Sequence, residues 1–425
     1  MPAAYLLLHG TDIMTRSEAL YERALRVTPW GTQTNAKRAD LSLAGVMPFY
    51  VERAEGCRLQ DVDGRWFLDY RSALGPIILS YRHEAVETAV RAQMEKGVLF
   101  SMASPLEVEL AETLTDLIPG LEQVRFVKTG NDANASALRL ARAFTGRDRI
   151  VVCGYHGSGD WFASGEGPAP MWFTREGNGV PEALDPLVFR LPYGDIATAE
   201  RLFAEDGDRI AALMMVPYNW DEVVAHDFVH RMRTLTERHG TVLVFDQVLT
   251  GFRLALRGAQ EFFGVVPDLT TYAKALANGY PLAAYGGRRD VMALLDRVTL
   301  TTTYAGETLS LAAAQATLGV LTSEPVLDHV WAMGRRLSDG FDRIAARLGL
   351  PGRAFGLPPA VQFRFDPDPA TDEAARKAFF AECYRHGVFA ARPFLLNYAH
   401  GEAEVDETLA VFEAALAVVA EGARA

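Results

Sequence analysis

Cysteine is scarce in this chain: three in 425 residues, at positions 57, 153 and 383. An odd number so widely separated excludes a disulfide framework and offers no zinc-type cluster, so no metal is expected and a reducing cytoplasm fits best. An excess of basic residues is lacking too. Lysine and arginine number 42 against 54 acidic residues, for a formal net charge of −12. That balance leaves no basic stripe to replace phosphate counterions and argues against nucleic acid as a partner. It does not exclude a small anionic ligand, which backbone N–H groups can hold inside an acidic protein. No stretch approaches the ~20 consecutive apolar residues of a membrane helix. The start, MPAAYLLLHGTD, has one short apolar run with no basic residues before it, so neither a targeting segment nor membrane association is expected. Internal repeats and low-complexity tracts are also missing.

What is present is the length and apolar content of a globular protein with more than one sub-structure. A helix is expected from Ser17 (SEALYERALRV), ended by Pro29 and Gly31. Arg58 to Tyr70 (RLQDVDGRWFLDY) alternates around an Asp-Gly turn and reads as a β-hairpin. From about Leu74 helices alternate with short, wholly apolar strands: Val124–Val127, Ile150–Cys153, Ile210–Val216, Val242–Phe245 and Leu269–Tyr272. Such runs suit a mainly parallel sheet covered on both faces by helices. The C-terminal part reads as a smaller α+β unit, with helices at Val330–Leu348, Asp372–His386 and Val405–Ala420 and a strand at Val361–Phe365. The expected organisation is therefore α/β, with an N-terminal segment 1–73, a large domain 74–322 and a small domain 323–425.

Two of those strands carry a charged residue at their carboxyl ends: Asp246 in TVLVFDQVLTGFR and Lys274 in DLTTYAKALANGYP. In open α/β sheets ligands bind outside the carboxyl ends of the strands, so both residues are expected to face one crevice. A lone aspartate after a strand is commonly a turn or cap residue, and a lone lysine beside glycine and proline is commonly solvated. Together they match the needs of pyridoxal phosphate chemistry. The amine forms a Schiff base with the cofactor aldehyde, and the carboxylate keeps the pyridine nitrogen protonated. A freed lysine then moves protons as general base and acid. The turn in KTGNDANASALRLAR, with Gly130 and Asn131 at a helix N-terminus, can cradle a phosphate. In CGYHG, Tyr155 is the aromatic that can cover a planar ring, although a core-edge role is equally open. His226 and His230 stand four apart, but no third ligand follows at suitable spacing.

These elements, in this order, resemble the class III (ω-type) aminotransferases of pyridoxal-phosphate fold type I, and within them the branch of glutamate-1-semialdehyde aminomutase-like proteins. The resemblance is carried by DVDGRWFLDY, LRLARAFTGRDRI, FDQVLTGFR, PDLTTYAK and AYGGRR. It implies that Lys274 is the Schiff-base lysine and Asp246 the partner of the ring nitrogen. It places Gly130 and Asn131 on the phosphate and Tyr155 on the ring. Thr303, in TTTYAGETLS, is implied to reach the phosphate of a neighbouring subunit, which makes the expected partner a second copy of the chain.

The departures fall mostly on the substrate side. Gln247 stands where the family has glutamate and is expected beside the cofactor's phenolic oxygen. Leu74 replaces an expected tryptophan, and Lys37 an expected arginine; Trp220 and Arg392 are further candidates for the substrate pocket. The function expected on these grounds is an aminotransferase working between small amine and carbonyl substrates. The alternatives are an aminomutase, then a racemase or decarboxylase, or a non-catalytic protein of the same fold.

Overall fold

A computed structural model describes residues 15–167, 178–220 and 226–422. The MPAAYLLLHGTD start lies outside the described residues. The first helix, α1 (Arg16–Leu25), starts before the expected Ser17. Thr15 and Glu18 close a reciprocal capping box around its N-terminus, and that fixes the start. The expected hairpin forms as β2 (Arg58–Asp61) and β3 (Trp66–Asp69), and β1 (Val51–Glu55) adds to its edge. Helices α2 (Glu84–Met94) and α3 (Pro105–Leu117) follow.

The central sheet has seven strands. In chain order they are β4 (Gln123–Val127), β5 (Arg149–Cys153), β6 (Val188–Arg190), β7 (Ile210–Met215), β8 (Val242–Gln247), β9 (Leu269–Tyr272) and β10 (Ala283–Gly287). In space they run β4-β10-β9-β8-β7-β5-β6. Among the described residues, β10 pairs antiparallel with its two neighbours and the other pairings in this sheet are parallel. Strands β7, β8 and β9 are buried at every position, as a sheet covered on both faces demands. Helix α4 (Gly130–Thr145) crosses the sheet, burying Ala133, Ala137, Leu140 and Ala141 against it.

The small unit carries β11 (Arg353–Phe355), β12 (Ala360–Arg364), β13 (Val388–Phe389) and β14 (Phe394–Leu395). Its phenylalanines 341, 363, 379, 394 and 412 pack ring on ring between the helices Val326–Leu348, Pro369–Arg385 and Glu402–Gly422. Strand β13 joins β3 in parallel, which ties the N-terminal hairpin to the C-terminal unit. Among the described residues no helix is long and apolar enough to cross a membrane.

Candidate active site

Strands β4, β5, β8 and β9 all deliver residues to one end of the sheet. Asp246 is the penultimate residue of β8, and Lys274 comes two residues after β9 ends. The Asp246 carboxylate is buried, and its two oxygens together take three partners from three separate segments. Its Oδ2 accepts from Asn134 Nδ2 at 2.8 Å and lies 2.8 Å from His156 Nδ1. Its Oδ1 accepts the Val248 backbone N–H at 3.0 Å. Asn134 is oriented in turn by Thr271, whose hydroxyl donates to its Oδ1 at 2.7 Å, and by the His156 carbonyl at 3.0 Å. A ring nitrogen facing a carboxylate is the protonated one, so His156 donates from Nδ1. Its Nε2 is buried without a partner among the described residues. Sequence reasoning missed both His156 and Asn134, although each lies inside a motif already singled out.

Lys274 sits at φ 45°, in the left-handed region. Burial lowers its amine to a pKa of about 8; the Asp246 charge opposes that shift and the Arg253 charge adds to it. The lysine stem passes Gly75, where an added Cβ would stand 3.5 Å from its Cδ and 2.5 Å from Leu249. Glycine at 75 is therefore a requirement of space as well as of backbone. Ser72, Ala73, Leu74 and Gly75 all have positive φ, from 46° to 104°. For residues with a Cβ this conformation costs about 1–2 kcal/mol apiece, so neighbouring structure must hold it. The fully buried Arg253 does so, donating to the carbonyls of Gly75 at 2.9 Å and Leu396 at 2.6 Å. Ser72 adds a hydroxyl bond to the Leu395 carbonyl at 3.1 Å.

The phosphate-type turn follows β4. Thr129 caps α4 and exchanges hydrogen bonds with Asp132, which keeps that acidic side chain on the cap. The N–H groups of Gly130 and Asn131 open the helix, where no intrahelical acceptor exists. Gly130 has no room for a side chain, since a Cβ would meet Val248 at 2.7 Å. Asn131 Oδ1 accepts from Ser158 and Gly159 at 3.2 and 3.0 Å, so its carbonyl ties the turn to the loop after β5. Tyr155, on that loop, is 56% exposed and packs edge-on against Phe162 with centroids 5.6 Å apart. Burial and the Asp246 charge both raise its phenol pKa.

Other expectations are met differently. Gln247 does not reach the site. Successive strand residues point to opposite faces, so with Asp246 facing the crevice Gln247 faces away. Its amide bonds Gln260, Thr270 and Tyr272 at 2.7, 2.7 and 3.0 Å, and its oxygen accepts Ala259 N–H at 2.6 Å. Trp220 and Arg392 come together through Gln362, which donates to the Trp220 carbonyl and accepts from Arg392 Nε at 3.0 Å. Leu74 lies in the strained run beside the lysine. Thr303 is exposed. His226 stacks against Phe262 with centroids 5.5 Å apart.

The residues present fit pyridoxal phosphate: a buried carboxylate awaiting a cationic ring N–H, an amine held below its ordinary pKa, and a helix N-terminus for the phosphate. Fold and site together define a pyridoxal-phosphate enzyme of fold type I. The chain belongs to the class-III aminotransferase family, which it matches over residues 42–390. It is similar to the glutamate-1-semialdehyde 2,1-aminomutase of Syntrophobacter fumaroxidans, with 37% identity over 416 residues covering 93% of this chain and 95% of that protein. Among solved structures, an omega-transaminase from Sphaerobacter thermophilus superposes with a TM-score of 0.87 at 28% identity, covering 97% of this chain and 99% of that one. A transaminase with pyridoxal phosphate bound superposes with a TM-score of 0.88 at 26% identity, covering 97% and 100%.

Proposed function

We propose that this enzyme moves an amino group by way of Lys274, and that donor and acceptor positions lie on one substrate skeleton, as in an aminomutase. The observation that carries the first part is the pairing of a lysine amine of lowered pKa with the Asp246–His156–Asn134 cluster at neighbouring strand ends. The second part rests on the 37% identical relative, which bears the aminomutase name; it displaces the aminotransferase reading expected from sequence. When bound, pyridoxal phosphate supplies an electron sink for the substrate's α-carbon. Asp246 holds the positive charge at the ring nitrogen, and His156 and Asn134 hold Asp246. The Lys274 amine, neutral above about pH 8, takes the α-proton and returns it elsewhere as general base and acid. The Gly130–Asn131 turn and Tyr155 position the cofactor.

Transfer between separate donor and acceptor is the second reading. Leu74 and Lys37, standing where the resemblance leads one to expect tryptophan and arginine, favour it. Incubating the holoenzyme with an amino-carbonyl substrate and no added acceptor separates the two. An aminomutase converts an amino-carbonyl substrate into its positional isomer, with the total amine on that skeleton unchanged and no deaminated product released. A deaminated carbonyl product equal in amount to the active sites, released before any acceptor is added, overturns the aminomutase reading.

The division at residues 73 and 322 and the working form, a dimer with Thr303 reaching across, belong to the same proposal. An apolar strip is exposed at Val98 (42%), Leu99 (40%), Phe100 (45%) and Met102 (82%), and Tyr304 is 60% exposed. Thr308 N–H binds the Val98 carbonyl at 2.9 Å, so the strip and the Thr303 segment form one surface. An exposed apolar strip of this kind supports the reading of a contact face. The double variant Phe100→Asp/Met102→Asp is expected to sediment as a monomer. Thr303→Ala is expected to stay dimeric while its cofactor dissociation constant rises roughly tenfold, the loss of one hydrogen bond to an anion. An unchanged constant removes Thr303 from the site.

A further inference from the structure

A cavity of about 390 Å³ opens between the N-terminal segment and the hairpin, its wall including Trp30, Lys37, Tyr50, Arg71, Ala73 and Phe389. That volume suits a small ligand. We infer that this cavity receives the distal part of the amine substrate, a flat apolar or aromatic portion ending in an anionic group that Arg71 binds. The inference rests on the amino-transfer reading above and names its substrate class.

Three observations carry it. The first is position. Ala73 lines the cavity, and Gly75, two residues on, packs against the Lys274 stem. Two residues of chain span at most about 7 Å, so the cavity and the reacting amine flank one short, strained segment.

The second is charge. Arg71 is largely buried, and burial lowers its pKa. Among the described residues its guanidinium bonds only the Ala36 carbonyl and forms no ion pair. Asp69 lines the same cavity and its charge acts on Arg71, but it makes no hydrogen bond to the guanidinium. Its Oδ2 accepts the Tyr81 hydroxyl at 2.6 Å and its Oδ1 accepts the Arg71 backbone N–H at 2.8 Å. A guanidinium with no carboxylate hydrogen-bonded to it is a two-pronged site for one. Lys37, exposed on the same wall, adds a second positive charge.

The third is strain. Trp30 holds φ 60°, a conformation bulky side chains avoid. Its indole stays 46% exposed with the Arg38 guanidinium 5.7 Å from the ring centroid, and it also lines the cavity. There the ring offers an aromatic wall to a ligand.

The test uses the holoenzyme and two amines that differ by one carboxylate, 4-(aminomethyl)benzoate and benzylamine, followed by the change each causes in the cofactor's visible absorbance. The benzoate is expected to half-saturate at a concentration at least roughly tenfold lower, and Arg71→Gln to collapse that ratio to within about twofold. Trp30→Gly, which relieves the backbone, is expected to fold normally and to raise half-saturation for both amines. In parallel, calorimetry with 4-methylbenzoate, which has no amine, is expected to show binding that weakens about tenfold in Arg71→Gln. Equal half-saturation in the wild type, or a preference that survives Arg71→Gln, overturns the pocket while leaving amino transfer intact. If no amine alters the spectrum yet 4-methylbenzoate binds through Arg71, amino transfer falls and the anion pocket stands.

Discussion

Replacing Lys274 by alanine is expected to abolish the visible absorbance of the lysine-bound cofactor and to slow any amine-driven change by at least roughly 10³-fold. The lysine serves both as attachment point and as proton carrier, and a positioned acid–base group alone contributes about 10²–10⁴. Absorbance spectra of the purified variant, followed by stopped-flow mixing with an amine, check both parts. An absorbance band that survives the substitution would move the cofactor to another amine.

The same residue sets a pH dependence in the cofactor-free protein. The folded chain holds the amine neutral above about pH 8, whereas its ordinary pKa is 10.5. Below about pH 8 the folded state must bury a charge that the unfolded state carries in water. The cost is full there and disappears as pH rises towards 10.5, because over that window only the unfolded state still holds the proton. Cofactor-free Lys274→Met should therefore be more stable than the wild type near pH 7, on the order of 2–3 kcal/mol. The difference should close with rising pH, as read from denaturant unfolding at several pH values. A gap independent of pH would show that the lysine is not desolvated.

Asp246→Asn is the second large effect. An amide cannot hold positive charge at the ring nitrogen, so the electron sink weakens although the lysine attachment survives. Conversion should fall roughly 10²–10³-fold, the usual consequence of removing a pre-positioned electrostatic partner from a dry site. His156→Phe tests the support behind it. Losing one charge-assisted bond to Asp246 should cost roughly tenfold in rate. It should also shift the pH at which the cofactor's spectrum changes. A merely structural histidine would lower thermal stability and leave that spectral transition where it was.

How far the site could be foreseen follows from the range of each interaction. Asp246 and Lys274 were legible because each ends a buried strand, and strand ends in a parallel sheet converge on one crevice. The Gly130 turn was legible from its strand–turn–helix punctuation. His156 and Asn134 were not, since they reach Asp246 across 90 and 112 residues of chain. Gln247 was misjudged because strand β8 runs two residues beyond the expected Phe245, to Gln247. That extension commits it to the opposite face. Strand β10 was missed because Ala-Ala-Tyr-Gly-Gly has little β-propensity, and only pairing on both edges makes it a strand. The helix Thr308–Ser323 was missed because it is buried nearly all round, which removes the one-sided periodicity that marks a helix.

The amino-acid order alone determined that strands alternate with helices, that an aspartate and a lysine follow two consecutive buried strands, and that a glycine turn opens a helix earlier in the chain. These are local facts of hydrophobic period and punctuation. Only the folded chain decided which face each strand residue took, which distant histidine and asparagine steady the aspartate, and that residues 72–75 hold a strained turn beside the lysine. Such facts arise from contacts between segments far apart in the chain, and from burial, which lowers the lysine's pKa.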